Sequence, residues 1–530
     1  MKSNHADYNS LSPFELKDLL IDAGSKNKKG NKLLNAGRGN PNFTCTIPRR
    51  AFHRLGLFAI EESEYSFSYL SSGIGGVPKH DGIVSRLEQY CIRNEEYLGI
   101  SFIKKALSYI EDQLGIDREE FTKEIVEAIL GCNYPVPPRM LALTEEVVKH
   151  YLIKEMGCNQ KTNEFDLFAV EGGTAAMRYI FDSMKQNFIL EKGDSVAIGV
   201  PAFTPYMEIP LLKNYSLNEI HIKSSEENGW QYTDEELNKL LDPNIKVFFC
   251  INPSNPASVK LDDRCLNKIA EIVSKHPDLI ILTDDVYGTF ANKFTSLFSV
   301  CPYNTILVYS YSKYFGATGW RLGTIAINKN NVIDDKIKKL NQLQHNELHD
   351  RYASLTKNVD ELKFIDRLVA DSRAVALNHT AGLSTPQQIQ MLLFSIFSLM
   401  DVEDKYKTIV KTVIERRDSV LYKELGGSAL TNNNIVGYYT LLDLVSIASK
   451  LYNKDYGEWI QNNINETDFI FNIAEKYGVV LLPGKGFGSD SASGRVSLAN
   501  LNEVEYAMIG KVFKDELDYI YNNEYMKSSK

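Results

Sequence analysis

One short stretch of the sequence combines a lysine with hydroxyl and aromatic side chains. Ser310, Tyr311 and Ser312 precede Lys313, and Arg321 follows eight residues later. A lysine without an obvious acidic partner is a poor salt-bridge residue, but its amine, once deprotonated, is a good nucleophile towards a carbonyl group. An arginine offers fixed donors to a phosphate. The stretch therefore predicts a ligand that carries both an aldehyde and a phosphate.

Four further positions have residues suited to bind the rest of such a ligand. Asp284 follows an apolar run, so its carboxylate should be buried and should need a cationic partner such as a protonated ring nitrogen. Prolines near Asn255 hold an extended turn that could present its amide to a ligand. Phe203 could stack on a planar ring or could equally be core. Gly173 belongs to a strand-to-helix turn that could bind an anion, although a tight structural turn explains it as well.

Together these side chains describe pyridoxal 5′-phosphate (PLP), which has a phosphate, a flat ring, a protonatable nitrogen and an aldehyde. The segments that must position them alternate between apolar strands and helices from about residue 165 onward. The predicted strands are 167–170, 195–198, 247–251, 279–282 and 305–309. Such alternation is typical of a mainly parallel sheet, in which ligands bind beyond the carboxyl ends of the strands. The candidate residues follow those strand ends.

From residue 35 onward, the order of these motifs resembles that of the fold type I PLP-dependent enzymes of the aspartate aminotransferase superfamily. The resemblance implies an α/β fold with a mainly parallel mixed sheet sandwiched by helices in a large domain, plus a smaller α+β domain. It implies that Lys313 carries the cofactor as a Schiff base. The other cofactor contacts that it implies are Asp284 at the ring nitrogen, Tyr287 and Asn255 at the phenolic oxygen, Phe203 on the ring face, and Gly173, Thr174, Ser310 and Arg321 at the phosphate. Tyr134 resembles the tyrosine that reaches the phosphate of the neighbouring subunit, so the site is expected to need a dimer.

The candidate substrate residues include an arginine near the end of the chain. Arg495, within the segment Gly-Arg-Val-Ser-Leu-Ala, resembles the superfamily's arginine that binds the substrate α-carboxylate through two hydrogen bonds. Without the other motifs, an isolated arginine there would be read as a surface residue. The length of the chain and the segments 35–42, 134–137, 203–206 and 379–388 resemble one branch of the superfamily, the aspartate 4-decarboxylases. That branch implies Gly115 and Asn255 as further substrate contacts.

The branch implies β-decarboxylation of L-aspartate to L-alanine and CO2, with a side aspartate aminotransferase activity through a shared intermediate. A decarboxylase should not strongly stabilise the carboxylate charge that must be lost. We therefore expect a weak or movable contact to the distal carboxylate, and the candidates are Arg38, Arg373 and Lys17. A structural ion pair is the alternative for each of the three.

Two other functions remain open from the sequence. A plain PLP-dependent aminotransferase acting on aspartate, alanine or an aromatic amino acid would use the same cofactor residues. An aminotransferase-like regulatory protein would need a DNA-binding module, and the thirty mostly polar residues at the start leave no room for one.

The composition of the chain limits its expected partners, metal sites, disulfides and cellular location. The net charge of −9 argues against nucleic-acid binding, which depends on clustered Lys and Arg. The seven cysteines are scattered without a Cys-x-x-Cys pair, so no metal site or disulfide framework is expected. No signal peptide and no apolar run of about 18 residues is present, which predicts a cytoplasmic protein without a membrane segment. We expect a homodimer as the minimum, and a larger assembly of dimers.

The expected organisation has four parts. Residues 1–34 form an arm whose short helix begins at a Ser12–Glu15 capping box, and 35–164 contribute connecting helices and the first part of the small domain. Residues 165–385 form the PLP-binding domain, with 331–375 as a helical insertion. Residues 386–530 form the small α+β domain, with strands at 437–442 and 479–482.

Overall fold

The computed structural model describes Tyr8, Leu11 and residues 13–71, 73–158, 164–212, 214–428 and 432–528. The capping role predicted for Ser12 lies outside these residues. The strands in chain order are β1 (Leu34–Asn35), β2 (Phe165–Val170), β3 (Ser195–Val200), β4 (Asn218–Lys223), β5 (Ile245–Ile251), β6 (Ile280–Asp284), β7 (Thr305–Ser310), β8 (Gly323–Asn328), β9 (Tyr439–Asp443), β10 (Val479–Val480), β11 (Leu482–Pro483) and β12 (Ser493–Ser497).

The helices surround these strands. In chain order they are α1 (Pro13–Ser25), α2 (Thr46–Ser66), α3 (Ile83–Arg93), α4 (Ile100–Leu114), α5 (Arg118–Leu130), α6 (Ala142–Glu155), α7 (Gly173–Gln186), α8 (Thr204–Leu211), α9 (Asp234–Asn238), α10 (Asp263–Lys275), α11 (Leu297–Val300), α12 (Val332–Lys338), α13 (Gln342–Tyr352), α14 (Phe364–Asp371), α15 (Thr385–Met400), α16 (Lys405–Leu425), α17 (Leu444–Leu451), α18 (Lys454–Asn463), α19 (Glu466–Tyr477), α20 (Glu503–Ile520) and α21 (Met526–Ser528). Within the described ranges, none of them is long and apolar enough to cross a bilayer.

The large domain is built on a seven-stranded sheet with the order β2-β8-β7-β6-β5-β3-β4. All five predicted strands are confirmed, and every residue of β6 and β7 is buried. Burial of each such large apolar side chain contributes roughly 1.5–3 kcal/mol. Neighbouring strands are parallel except at β8, which runs antiparallel to both β2 and β7. The sequence prediction missed β8 and the half-exposed edge strand β4.

This topology brings the candidate motifs to one edge. Because β8 reverses direction between β2 and β7, the strands β2, β3, β5, β6 and β7 all point the same way. Asp284 ends β6 and Ser310 ends β7, while Asn255 and Phe203 follow β5 and β3 by a short turn. Side chains that are distant in sequence therefore converge at the carboxyl edge of the sheet, as such sheets require of a ligand site.

The small domain combines both ends of the chain. β9, β11 and β12 form an antiparallel sheet in the order β11-β12-β9. β1 pairs with β10 in parallel, so the segment around residue 35 joins the C-terminal domain. The single strand predicted at 479–482 is in fact split into β10 and β11, which belong to different sheets.

The remaining helices link these parts. In the arm, α1 packs on α19, and its residues Leu16 and Leu20 are buried. A single helix cannot bury its own apolar face, so this packing against the rest of the chain is expected. Helices α2, α5 and α6 pack against α15, although residues 386–400 were assigned to the small domain from the sequence. The charged region 331–375 forms α12, α13 and α14 outside the sheet, as predicted. The four-part division as a whole stays a prediction.

Candidate active site

A cavity of about 130 Å³ opens at the carboxyl edge of the sheet. Of the ten residues predicted to hold the cofactor, all except Tyr134 line it. These nine are Gly173, Thr174, Phe203, Asn255, Asp284, Tyr287, Ser310, Lys313 and Arg321. The sequence positions therefore form one site in space.

Lys313 lies three residues beyond the end of β7 and reaches across the cavity to the N-terminal segment. Its Nζ donates a hydrogen bond to the Gly39 carbonyl oxygen at 2.9 Å. Gly39 has to be a glycine here, since a Cβ would lie 3.2 Å from this Nζ and 2.3 Å from the Tyr439 hydroxyl oxygen. The amine is thus held in the cavity by a neutral carbonyl group, and it forms no ion pair with any residue that the structure describes.

Asp284 provides a buried carboxylate at the bottom of the cavity. The Tyr206 hydroxyl donates to its Oδ2 at 2.9 Å, and the Val286 backbone N–H donates to its Oδ1 at 3.1 Å. Burial raises the pKa of this carboxyl to about 6, although the two hydrogen bonds and the charge of Lys313 oppose the shift. No lysine or arginine of the described residues forms an ion pair with it. A buried carboxylate without a cation fits a protonated ring nitrogen.

The turn after β2 forms a cradle for an anion. α7 begins at Gly173, and the preceding Gly172 has a φ of 90°. A Cβ on Gly172 would lie 2.5 Å from Arg321 Nη2, so only a glycine lets the guanidinium approach the start of the helix. Arg321 is held there by hydrogen bonds to the carbonyl oxygens of Glu171 at 3.1 Å and Thr318 at 3.0 Å. A helix N-terminus and a guanidinium at one point fit a phosphate.

Aromatic and amide groups form the walls between these two ends. Phe203 packs edge-on against Tyr206 with ring centroids 5.2 Å apart. The Tyr287 hydroxyl donates to that of Tyr439 at 3.1 Å. Asn255 accepts a hydrogen bond through its Oδ1, which leaves its amide nitrogen to donate. This wall offers a ring face and hydrogen-bond donors to a flat, polar ligand.

Arg495 does not line the cavity itself, but it contacts two residues that do, Asn255 and Tyr439. The side chain is 3% exposed and comes from β12. It donates to Asn255 Oδ1 at 3.2 Å and to the Gly37 carbonyl oxygen at 2.8 Å. Its guanidinium lies 4.4 Å from the ring of Tyr439 and 4.7 Å from that of Phe487, and its buried Nε has no partner among the described residues. A buried guanidinium with an unused donor and no carboxylate fits a bound carboxylate.

Residues 132–511 match the family described as aminotransferase class I and II. The chain belongs to this family. The chain is also 56% identical, over 98% of its own length and 98% of the relative's, to the "Bifunctional aspartate aminotransferase and L-aspartate beta-decarboxylase" of a Pseudomonas species. An aspartate aminotransferase of Pyrococcus horikoshii is 30% identical over 41% of this chain and 56% of its own.

Solved aminotransferase structures share the fold. A double mutant of the Thermus thermophilus aspartate aminotransferase superposes with a TM-score of 0.60 over 97% of this chain and 100% of its own, at 15% identity. The Rhizobium meliloti aspartate aminotransferase gives a TM-score of 0.59 over 98% of this chain and 99% of its own, at 16% identity. Both confirm the predicted α/β fold. Aminotransferases of this family depend on PLP, and the uncompensated Asp284, the anion cradle at Gly172 and the Lys313 amine fit that cofactor.

The other predicted residues lie outside the cavity lining. Tyr134 is 62% exposed and packs edge-on against His379, with ring centroids 5.1 Å apart. Gly115 follows the end of α4 with a φ of 67°. Lys17 lies on α1, with its Nζ 3.9 Å from the neighbouring Asp18. The contacts expected of these residues stay predictions.

The two candidate arginines for the distal carboxylate differ sharply. Arg373 Nη2 forms an ion pair with Glu171 at 2.9 Å, and its Nη1 donates to the Tyr179 hydroxyl at 3.2 Å. These bonds are the structural alternative that the sequence left open. Arg38 is exposed, and no described residue forms a hydrogen bond or ion pair with it. It lies between Gly37, which accepts from Arg495, and Gly39, which accepts from Lys313.

Sequence reasoning missed two tyrosines of this aminotransferase site. Tyr206 supports Asp284, and it was visible only as part of a segment similar to one branch of the family. Tyr439 begins β9 and lines the cavity. No local signal marks Tyr439, because its position depends on how the small domain packs against the sheet.

Proposed function

We propose that this chain is a PLP-dependent enzyme that converts L-aspartate to L-alanine and CO2, with an aspartate aminotransferase side activity. The observation that carries the proposal is the similarity to the Pseudomonas protein, whose name gives both activities and which matches this chain along nearly its whole length. The similarity to plain aspartate aminotransferases covers much less of the chain. The match to the bifunctional enzyme therefore includes the parts of this chain that the match to the Pyrococcus horikoshii enzyme leaves out.

The cofactor would be held by the cavity residues in the roles that the family resemblance implies. Lys313 would bond to its aldehyde carbon, and Asp284 would keep its ring nitrogen protonated. Asn255 and Tyr287 hydrogen-bond its phenolic oxygen, and Phe203 stacks on its ring. The phosphate is bound by Gly173, Thr174, Ser310 and Arg321. When bound, PLP supplies an electron sink for bonds that break at the substrate carbons.

The substrate would be oriented by Arg495 and handled by Lys313. Arg495 is already fixed by Asn255 and Gly37, so it loses little conformational freedom when it binds the α-carboxylate. The Lys313 amine would serve as the base that removes the proton from the substrate Cα. The Gly37–Gly39 segment contacts both residues and would shield the reacting carbons from water.

Arg38 is the residue that we assign to the distal carboxylate. Its flanking residues are fixed by their carbonyl contacts, whereas its own side chain is exposed and unpaired among the described residues. Such a contact attracts the carboxylate without enclosing it, so the charge can still leave as CO2. Lys17 and Gly115 are second candidates for substrate contact. Arg373 is a weaker one, because Glu171 already occupies it.

The working unit is proposed to be at least a dimer, and an assembly of dimers in the cytoplasm. The exposed ring of Tyr134 is available to a neighbouring subunit, where it would reach the cofactor phosphate. Tyr134 does not line the cavity of its own subunit.

Incubation of the purified protein with PLP and L-aspartate alone tests the proposal. Steady formation of alanine and CO2 without an added 2-oxo acid supports it. Product formation that depends on an added 2-oxo acid would instead identify a plain aminotransferase. Lys313→Ala is the control and should form neither product at a measurable rate.

A further inference from the structure

Tyr439 places a phenolic hydroxyl among the residues expected to do the chemistry. The side chain is 3% exposed, and it lines the cavity together with Lys313. A Cβ at Gly39 would lie 2.3 Å from the Tyr439 hydroxyl oxygen and 3.2 Å from Lys313 Nζ. The hydroxyl and the amine therefore flank the same point in the cavity.

The ring of Tyr439 also supports the other end of the substrate site. The guanidinium of Arg495 lies 4.4 Å from the ring centroid. A bound substrate would place its carboxylate at Arg495 and its amine near Lys313. The carbons between these two groups would then lie close to the Tyr439 hydroxyl. Tyr439 is thus placed beside the reacting carbons and not at the cofactor phosphate.

The hydrogen bonding of this hydroxyl leaves its proton available. Tyr287 donates to the Tyr439 oxygen at 3.1 Å. No acceptor for the Tyr439 proton is found among the residues that the structure describes. A buried hydroxyl that accepts one hydrogen bond and donates none within the protein is suited to donate to a ligand.

The surrounding charges favour loss of that proton. Burial alone would raise the pKa of Tyr439, but the positive charges of Lys313 and Arg495 and the hydrogen bond from Tyr287 together lower it below its usual range. Tyr438, whose ring packs against that of Tyr439, is uncharged because burial raises its pKa well above the usual range. A phenolate formed at this position is consequently stabilised by the guanidinium of Arg495 and by the hydrogen bond from Tyr287.

We propose that Tyr439 is the acid that protonates the substrate β-carbon after CO2 has left. The inference rests on the proposed decarboxylation. The bond between Cβ and the carboxylate carbon breaks, CO2 leaves without the electron pair, and that pair forms the new C–H bond with the Tyr439 proton. The phenolate then takes a proton from solvent, so one proton is consumed for each alanine formed. Transamination leaves the β-carbon untouched and needs no such acid.

Tyr439→Phe tests this role, because it removes the hydroxyl and keeps the ring under Arg495. Alanine formation from L-aspartate should fall by about a hundredfold, the usual contribution of a general acid. Transamination with an added 2-oxo acid should change only a few-fold. Tyr422→Phe is the matched control: its hydroxyl pairs with Thr440 on the same strand, away from the cavity, and both activities should persist.

Two measurements do not depend on the activity of this variant. In holoenzyme labelled with 13C at tyrosine Cζ, one resonance should titrate below the others, and it should be missing from Tyr439→Phe. In the wild-type enzyme, alanine formation should fall as the pH rises through this titration, whereas transamination should not follow it.

Equal losses of both activities with a raised KM for aspartate would overturn the proposal, since Tyr439 would then act only by supporting Arg495. The absence of a low-titrating resonance would overturn it as well. Failure of the wild-type enzyme to form alanine would reject the proposed function itself, a result that the aspartate incubation gives separately.

Discussion

Lys313 and Gly39, 274 residues apart, are joined by a hydrogen bond of 2.9 Å between the lysine amine and the glycine carbonyl. The bond ties the large domain to the N-terminal segment that belongs to the small domain. The Tyr438 hydroxyl donates to the same carbonyl oxygen at 2.8 Å. The position of the reactive amine therefore depends on the packing of the Gly39 segment, and not on the sheet alone.

Gly39→Ala should disturb the packing of this segment against Lys313 and Tyr439. The added methyl group would meet the Tyr439 hydroxyl at 2.3 Å and the Lys313 amine at 3.2 Å, so the segment must shift outward. We expect kcat to fall by about tenfold to a hundredfold, since small displacements of reacting groups have effects of this size. Steady-state kinetics measure the loss. Gly427→Ala is the control, because a Cβ at Gly427 meets nothing within 4 Å, and its kcat should be unchanged. A similar kcat in the two variants would refute the explanation.

Asp284 should make the cofactor-free protein sensitive to pH. Burial raises its folded-state pKa to about 6 from the usual value of 3.8, so the folded state binds its proton more tightly than the unfolded state does. The contribution of Asp284 to stability therefore falls as the pH rises from about 4 through about 6, by roughly 3 kcal/mol.

Comparison of the wild-type protein with Asp284→Asn isolates this contribution. The free energy of unfolding of the two cofactor-free proteins, measured across that range, should differ most above about pH 6, with the variant the more stable. PLP should remove the difference in the wild-type protein, because its ring nitrogen supplies the missing cation. A difference that does not vary with pH would contradict the explanation.

Arg38 and Arg373 should respond differently to replacement by alanine. Arg38→Ala should change the ratio of alanine to oxaloacetate formed from aspartate, with little effect on PLP binding, because its side chain is unpaired beside the cavity segment. Arg373→Ala removes the partner of Glu171 and should lower the unfolding temperature while leaving the ratio intact. Product analysis and thermal unfolding of both variants provide the comparison. An unchanged ratio in Arg38→Ala would exclude that arginine from the mechanism.

Tyr134 should serve the active site of the neighbouring subunit. Tyr134→Ala and Lys313→Ala should each be nearly inactive as separate proteins. When the two are unfolded and refolded together, half of the dimers are mixed, and each mixed dimer holds one site with both natural residues. About a quarter of the wild-type activity should return. No recovery would place Tyr134 in its own subunit's site or outside the mechanism.

Much of the site was predictable because its parts are local in sequence. Apolar runs predicted β2, β3, β5, β6 and β7, and the residues directly after them proved to share a cavity. The edge strand β4 escaped notice because half-exposed strands lack a continuous apolar run. The split of 479–482 into β10 and β11 depends on pairing partners far away in the chain, which no local pattern encodes.

The sequence by itself determined the cofactor-binding chemistry and which residues follow the carboxyl ends of the strands. Apolar runs mark the strands, and the polar residues directly after each run mark its carboxyl end. Only the tertiary structure decided which charges are compensated. Arg373 is bound to Glu171, whereas Arg38, within the Gly37–Gly39 segment, and Lys313, which contacts that segment, have no acidic partner among the described residues. The place of Tyr439 in the cavity was likewise decided by the tertiary structure alone. Such pairings follow from the packing of two domains, where distance and burial, and not residue type, decide the electrostatic energy.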